Sequence, residues 1–376
     1  MHLKIISYSI SRIALITILL AVLDCSCTRS GELQIRAESD EAYNALFMRT
    51  NGWTGGDVAC TVTLSDSLTL WLFGDSWIGP VVGNRHQDAA MINNAVAFQH
   101  GKAVTPDKLE FYFGQSGGRP ASLFLPPDGR GFFWLTGGGI LTRNGLFLFA
   151  TQIVKIDGDS SVFGFEGAGN YIFSIRNPME EPFRWQTEMV RTPFYDITAD
   201  GSEISFGAPQ FTDKGFVYIY GTCFRKSDIN RYMILARVPE NDILQFNRWE
   251  FYTDGKWQPD FRKAGWLCDR FGAEYSVSWH PGLKKYITIY SELGMSEKII
   301  MRTSARPEGP WSGQQVIYNC PEAAWDKDYF CYAARAHPEL SGPDELLVSY
   351  VCNSTDFWKM AGDARIYVPK FIRIKF

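Results

Sequence analysis

The sequence predicts an all-β chain, specifically a five-bladed β-propeller, on three observations. One apolar hairpin unit recurs five times at wide, fairly even intervals. Aromatic residues make up 15% of the 376 positions and glycine fills 34 of them, a pairing that suits short strands and tight turns. No long stretch has the 3.6-residue apolar period of an amphipathic helix. A two-sheet sandwich would share the composition but leaves the repeated unit unexplained.

The chain opens with Lys4 and Arg12 ahead of an uncharged apolar run, Ile13 to Leu23, too short to span a bilayer. Asp24-Cys25-Ser26-Cys27 follows. A small residue before a cysteine at this point reads as a lipobox, although Asp24 stands where an apolar residue is usual. Residues 1–27 are therefore expected to be a lipoprotein signal peptide, with Cys27 lipidated and Cys25 the alternative. Residues 28–44 read as a linker and 45–376 as the propeller.

In the first repeat, Asp57 to Leu64 precedes the turn Ser65-Asp66 and the strand Trp71-Leu72-Phe73-Gly74, which ends at Asp75. The same arrangement returns at Gly272 to Trp279, Pro281-Gly282 and Tyr286 to Tyr290. The carboxylates keep their interval, because Asp57 and Asp75 are 18 positions apart, as are Glu274 and Glu292. Weaker copies are expected at Ala121–Leu125 with Phe132–Leu135, Ala208–Phe211 with Phe216–Tyr220, and Ala334–His337 with Leu346–Tyr350. Outer strands are expected at Ala95–Phe98, Leu146–Ala150, Tyr232–Arg237 and Lys298–Arg302, and Phe371–Ile374 as a late strand that helps close the ring.

The formal charge is −4 with no basic block, which argues against a nucleic-acid partner. Beyond the signal lie Cys60, Cys223, Cys268, Cys320, Cys331 and Cys352, whose scattered spacing suggests neither a disulfide framework nor a zinc site. No cofactor is expected; a structural calcium ion in the channel would have no motif behind it. The membrane is reached through the lipid anchor alone, and a monomer is expected.

Innermost propeller strands line a central channel. Aligning the repeats puts Asp57, a position near Arg119, one near Phe206, Glu274 and one near Arg335 at comparable places. In a ring of five the first and fourth blades are not neighbours, so Asp57 and Glu274 would face each other. Glycoside hydrolysis needs such a pair, one carboxyl protonating the leaving oxygen and one activating water or attacking the anomeric carbon. Asp75 is a further catalytic candidate, although Asp75 and Glu292 both also suit a turn-bracing role, and Glu166 is a weaker one. Arg119 and Arg335 would hold sugar hydroxyls or a carboxylate. His337 follows a channel position, Trp53, Trp77 and Trp279 could stack on sugar faces, and Asn94, beside Asn93, could reach the channel edge. The competing role is a structural hydrogen bond for His337, packing for the tryptophans, and turn or blade bracing for Asn93-Asn94.

Two serine-esterase patterns are present by letter only. Gly74-Asp75-Ser76 lacks the partnering Asp three residues before a histidine, and Gly114-Gln115-Ser116-Gly117-Gly118 lacks a following helix.

Trp53-Thr54-Gly55-Gly56-Asp57, running on to Trp71-Leu72-Phe73-Gly74-Asp75, resembles a bacterial domain-of-unknown-function family related to endo-D-arabinanases with five-bladed propellers. Leu235 to Pro239 with Trp249-Glu250-Phe251, and His337-Pro338-Glu339-Leu340, look like later signatures of the same group. The resemblance implies an acidic channel centre and activity on furanosidic glycans such as arabinan. Only Asp57 and Asp75 carry over from the opening motif. The wider arabinanase-like propellers place acids on the first three blades, whereas the third repeat here, at Phe206-Gly207-Ala208, has none and Glu274 belongs to the fourth. The expected function is a glycoside hydrolase acting on a polysaccharide; the alternative is a non-catalytic carbohydrate-binding surface lipoprotein.

Overall fold

The computed structural model describes residues 34–159 and 161–376. The signal segment and Cys27 lie outside the described residues. Five of the sheets have four or more strands, and each is one blade. Their innermost strands are Cys60–Ser65, Phe132–Thr142, Glu203–Asp213, Tyr275–His280 and Tyr329–His337. Each touches the next and the fifth touches the first, so the ring is closed.

Blade 1 continues through Leu68–Phe73, Ala95–His100 and Leu109–Tyr112, as alternating apolar runs bounded by polar turns require. Blades 3, 4 and 5 begin with the hairpins expected from the repeat. Blade 2 differs. Phe132–Thr142 is its innermost strand but pairs with Gly145–Lys155, so Leu146–Ala150 lies in a second strand and not an outer one. Residues 119–121 instead form a small separate hairpin with 114–116. The run Gly137-Gly138-Gly139 disguises this strand, because glycine is depleted in strands and reads as a loop. It is required here, since a Cβ at Gly137 would collide with the Gly207 carbonyl oxygen and with Phe149.

Ring closure also begins earlier than residue 45. Arg36–Ser39 adds a fourth strand to blade 5 by pairing with Pro369–Lys375, whose edge it covers. Arg373 locks that seam with 2.7 Å ion pairs to Asp40 and Glu345. Residues 36–44, expected in the linker, therefore belong to the propeller.

Apolar faces fill the space between blades. Val62, Leu70 and Val96 of blade 1 meet Phe133, Leu148 and Phe173 of blade 2. Tyr220 and Leu235 of blade 3 likewise meet Tyr275 and Tyr290 of blade 4. Each such side chain contributes about 1.5–3 kcal/mol. Cys60, Cys223, Cys268, Cys320, Cys331 and Cys352 are all free thiols.

Candidate active site

The innermost strands are irregular at the end where they begin. In blades 2, 3 and 5 the pairing register slips, between Trp134 and Gly138, Phe206 and Gln210, and Tyr332 and Arg335. In blade 1, Val58 and Ala59 take left-handed φ of 69° and 46° before the strand starts. A β-branched residue rarely adopts this conformation, and such outliers gather at functional sites. Bulges re-aim side chains, and Trp134, Phe206 and Tyr332, which stand at these slips, line a cleft.

The cleft has two lobes. The larger, about 880 Å³, lies against Asp57, Asp75, Glu274, Trp134, Tyr332 and Tyr367. The smaller, about 800 Å³, lies against Glu166, Asn170, Glu203, Lys226, Arg231 and Glu274. Asp57 leads into the blade 1 inner strand and Glu274 immediately precedes that of blade 4. Asp75 ends the neighbouring blade 1 strand, its backbone carbonyl accepting the Asp57 N–H at 3.1 Å.

Asp57 Oδ2 accepts hydroxyl hydrogens from Tyr332 at 2.7 Å and Tyr367 at 3.0 Å, while Oδ1 has no partner. Burial pushes its carboxyl up to about 6, with both tyrosines and then Arg335 pulling the other way. Asp75 Oδ1 accepts from Asn93 Nδ2 at 2.9 Å and Trp134 Nε1 at 2.7 Å. Burial and then the Asp57 charge raise it to about 7. Glu274 is raised well above the carboxylate range by burial, then by the charges of Asp57 and Asp75. Its Oε2 is paired with Arg335 Nη2 at 3.0 Å, which favours the ionised form. Three carboxylates around this one buried guanidinium cannot all ionise cheaply, so the raised direction prevails. Gly74 is obligatory beside them, because any Cβ there would strike the Asp57 carboxylate.

The structure thus brings Asp57, Asp75 and Glu274 together. It does not bring the expected substrate-binding residues with them. Arg335 is buried, touches Glu274 and Cys60 Sγ, and does not line the cleft. Arg119 is exposed on the small separate hairpin, a consequence of the blade 2 misalignment. His337 is fully buried between blades 5 and 1, bonded to Thr61 at 2.7 Å and Ser349 at 2.8 Å. Burial and then Arg335 lower its pKa to about 3, so the imidazole is a neutral brace. Trp53 packs against Phe73 and Phe111 in the blade 1 core, and Trp77 stacks on His86 at 4.6 Å. Trp279 sits at the far end of its strand from Glu274, against Tyr286. Asn94 is buried, its amide donating to the carbonyls of Phe124 and Phe133 and so stapling blade 1 to blade 2. Glu292 is held by Arg270 at 2.6 Å, a structural role.

Four residues at the centre were not weighted in the sequence: Trp134, Tyr332, Tyr367 and Arg231. Extending the fifth repeat two positions toward the N-terminus reaches Tyr332. Tyr367 has no such signal, being brought to Asp57 from 310 residues away. Among the described residues, no group of three His, Cys, Asp or Glu side chains is arranged to hold a metal ion.

The fold is shared with solved structures of low sequence identity. A Bacteroides ovatus protein, named only as a candidate hydrolase, superposes with a TM-score of 0.72 at 20% identity, over 93% of this chain and 92% of that one. A mutant levansucrase of B. subtilis superposes with a TM-score of 0.50 at 11% identity, over 89% and 87% of the two chains. Xylan β-1,4-xylosidase of Bacillus halodurans scores 0.49 at 12% identity, over 86% of this chain and 53% of that one. At such identities the likeness is one of fold. Residues 40–376 match the family described as Domain of unknown function (DUF5005), and the chain belongs to that family. No curated protein matches the sequence.

Proposed function

We propose that the protein is a glycoside hydrolase acting on a polysaccharide, furanosidic and arabinan-like in its sugar. The observation that carries this is the convergence of Asp57, Asp75 and Glu274 on one open cleft, with burial and mutual repulsion spreading their proton affinities. Carboxyls separated in this way take separate acid and base roles. Glu274 gives its proton to the glycosidic oxygen as the bond to the anomeric carbon breaks. Asp57, ionised above about pH 6 and steadied by Tyr332 and Tyr367, attacks that carbon or takes the proton of an attacking water. Above about pH 7 Asp75 is ionised, and its negative charge helps keep Glu274 protonated. The furanosidic substrate rests on the resemblance of the Trp53–Asp75 stretch to relatives of endo-D-arabinanases. Lipidation of Cys27 would place the enzyme on the cell envelope, where such polymers are met.

One observation favours the alternative, a non-catalytic carbohydrate-binding lipoprotein: Asp57 is braced to blade 5 by both tyrosine hydroxyls. A single experiment separates the two readings. Reducing-sugar release is measured from D-arabinan, L-arabinan, xylan and pectins with the wild type, Asp57→Asn and Glu274→Gln. The hydrolase reading expects release by the wild type and a fall of about 100-fold or more in each folded variant. Binding to a glycan with no release from any polymer would leave the binding protein.

A further inference from the structure

The two lobes share a boundary that assigns them different parts of a substrate, if the hydrolase reading above holds. Glu274, Trp134, Thr136 and Arg231 line both lobes, whereas Asp57 and Asp75 line only the larger. A general acid must reach the oxygen between the two sugars, whereas the base or nucleophile must reach the anomeric carbon on the glycone side. The glycone therefore belongs with Asp57 and Asp75.

We propose that the smaller lobe, walled by blades 2 and 3, is the leaving-group subsite and takes the continuing chain of a neutral oligosaccharide. Its volume of about 800 Å³ falls within the usual range for small-molecule sites, which argues for more than a single small leaving group. Its groups suit hydroxyl recognition: Glu166 and Glu203 accept, Lys226 and Arg231 donate. Phe165 packs edge-on to Trp134 at 4.7 Å, giving the junction an aromatic wall for a sugar face. Within the smaller lobe Glu166 and Glu203 match Lys226 and Arg231 one for one, a charge balance that suits a neutral chain.

The test is the triple variant Glu166→Ala/Ile197→Ala/Lys226→Ala. All three side chains are exposed and line only the smaller lobe, so folding is not at risk. Its kcat/KM is measured on an arabino- or xylo-oligosaccharide and on the 4-nitrophenyl glycoside of the same sugar. The oligosaccharide value is expected to fall about tenfold further than the aryl glycoside value. Equal falls, or no fall, would overturn the assignment. Calorimetric binding of the same short oligosaccharides, in a Glu274→Gln background, gives a second reading. Wild-type chain that turns over neither substrate sinks the hydrolase reading alone. In that case, binding weakened by the triple variant keeps a sugar site in this lobe, and binding that is unchanged or absent removes it.

Discussion

Replacing Asp75 by Asn tests the electrostatics of the carboxylate centre without needing a substrate. The amide oxygen can still accept from Asn93 and Trp134, so the hydrogen bonds survive while the charge goes. Asp75 is raised from 3.8 to about 7. The folded chain therefore holds a proton that the unfolded chain releases, and stability falls as pH rises through that window. A difference of about 3 pH units at 1.36 kcal/mol each gives about 4 kcal/mol of destabilisation, complete above about pH 7. Because part of the carboxyl faces the cleft, about 2 kcal/mol is the working expectation. Relief of the repulsion on Glu274 acts in the same direction. Urea unfolding of both proteins should show near-equal stability at pH 4 and a more stable variant at pH 8. A variant equally or less stable at pH 8, or a difference that does not grow with pH, would show that Asp75 ionises as an ordinary surface acid.

The tyrosine hydroxyls give a second prediction. Tyr332→Phe removes a 2.7 Å hydrogen bond that favours ionised Asp57, so the acid limb of the kcat/KM–pH profile should move up by about one pH unit; an unmoved limb in a stable variant would separate Tyr332 from Asp57 ionisation. His337→Leu should lower stability by about 1–3 kcal/mol, by leaving the Thr61 and Ser349 hydroxyls unpaired. Its KM should not change, since His337 lies outside the cleft; a changed KM with stability intact would return His337 to the site.

Much of the fold was legible because its signals are local. Alternating apolar runs around Ser65-Asp66, Asp213-Lys214-Gly215 and Pro281-Gly282 mark hairpins that formed as expected, since a turn and its two flanking strands need no information from elsewhere. Blade 2 failed for the same reason. Pro127-Asp128-Gly129 is a real turn, with Gly129 N bonded to the Pro126 carbonyl, but it leads into an inner strand and not around a hairpin. Of the glycines that hid that strand, Gly137 is there for blade 3, whose Gly207 carbonyl sits where its Cβ would go.

For the site, the repeat interval marked Asp57, Asp75, Glu274 and Glu292, because position within a repeat is position around the ring, and the first three of these reach the cleft. Only the tertiary structure decided which neighbours are inside the cleft. His337, Asn94 and Arg335 have the chemistry of ligands yet are buried at blade seams, and Trp53 in the blade 1 core, while Trp134, Tyr332 and Tyr367 reach the acids. The physical reason is that a strand presents alternate residues to opposite sides, and the one-residue bulge between Tyr332 and Arg335 exchanges them. Such bulges are stabilised by packing across blades, as are the raised proton affinities of the three carboxyls. Both depend on groups far apart in the chain and close together only once the ring has closed.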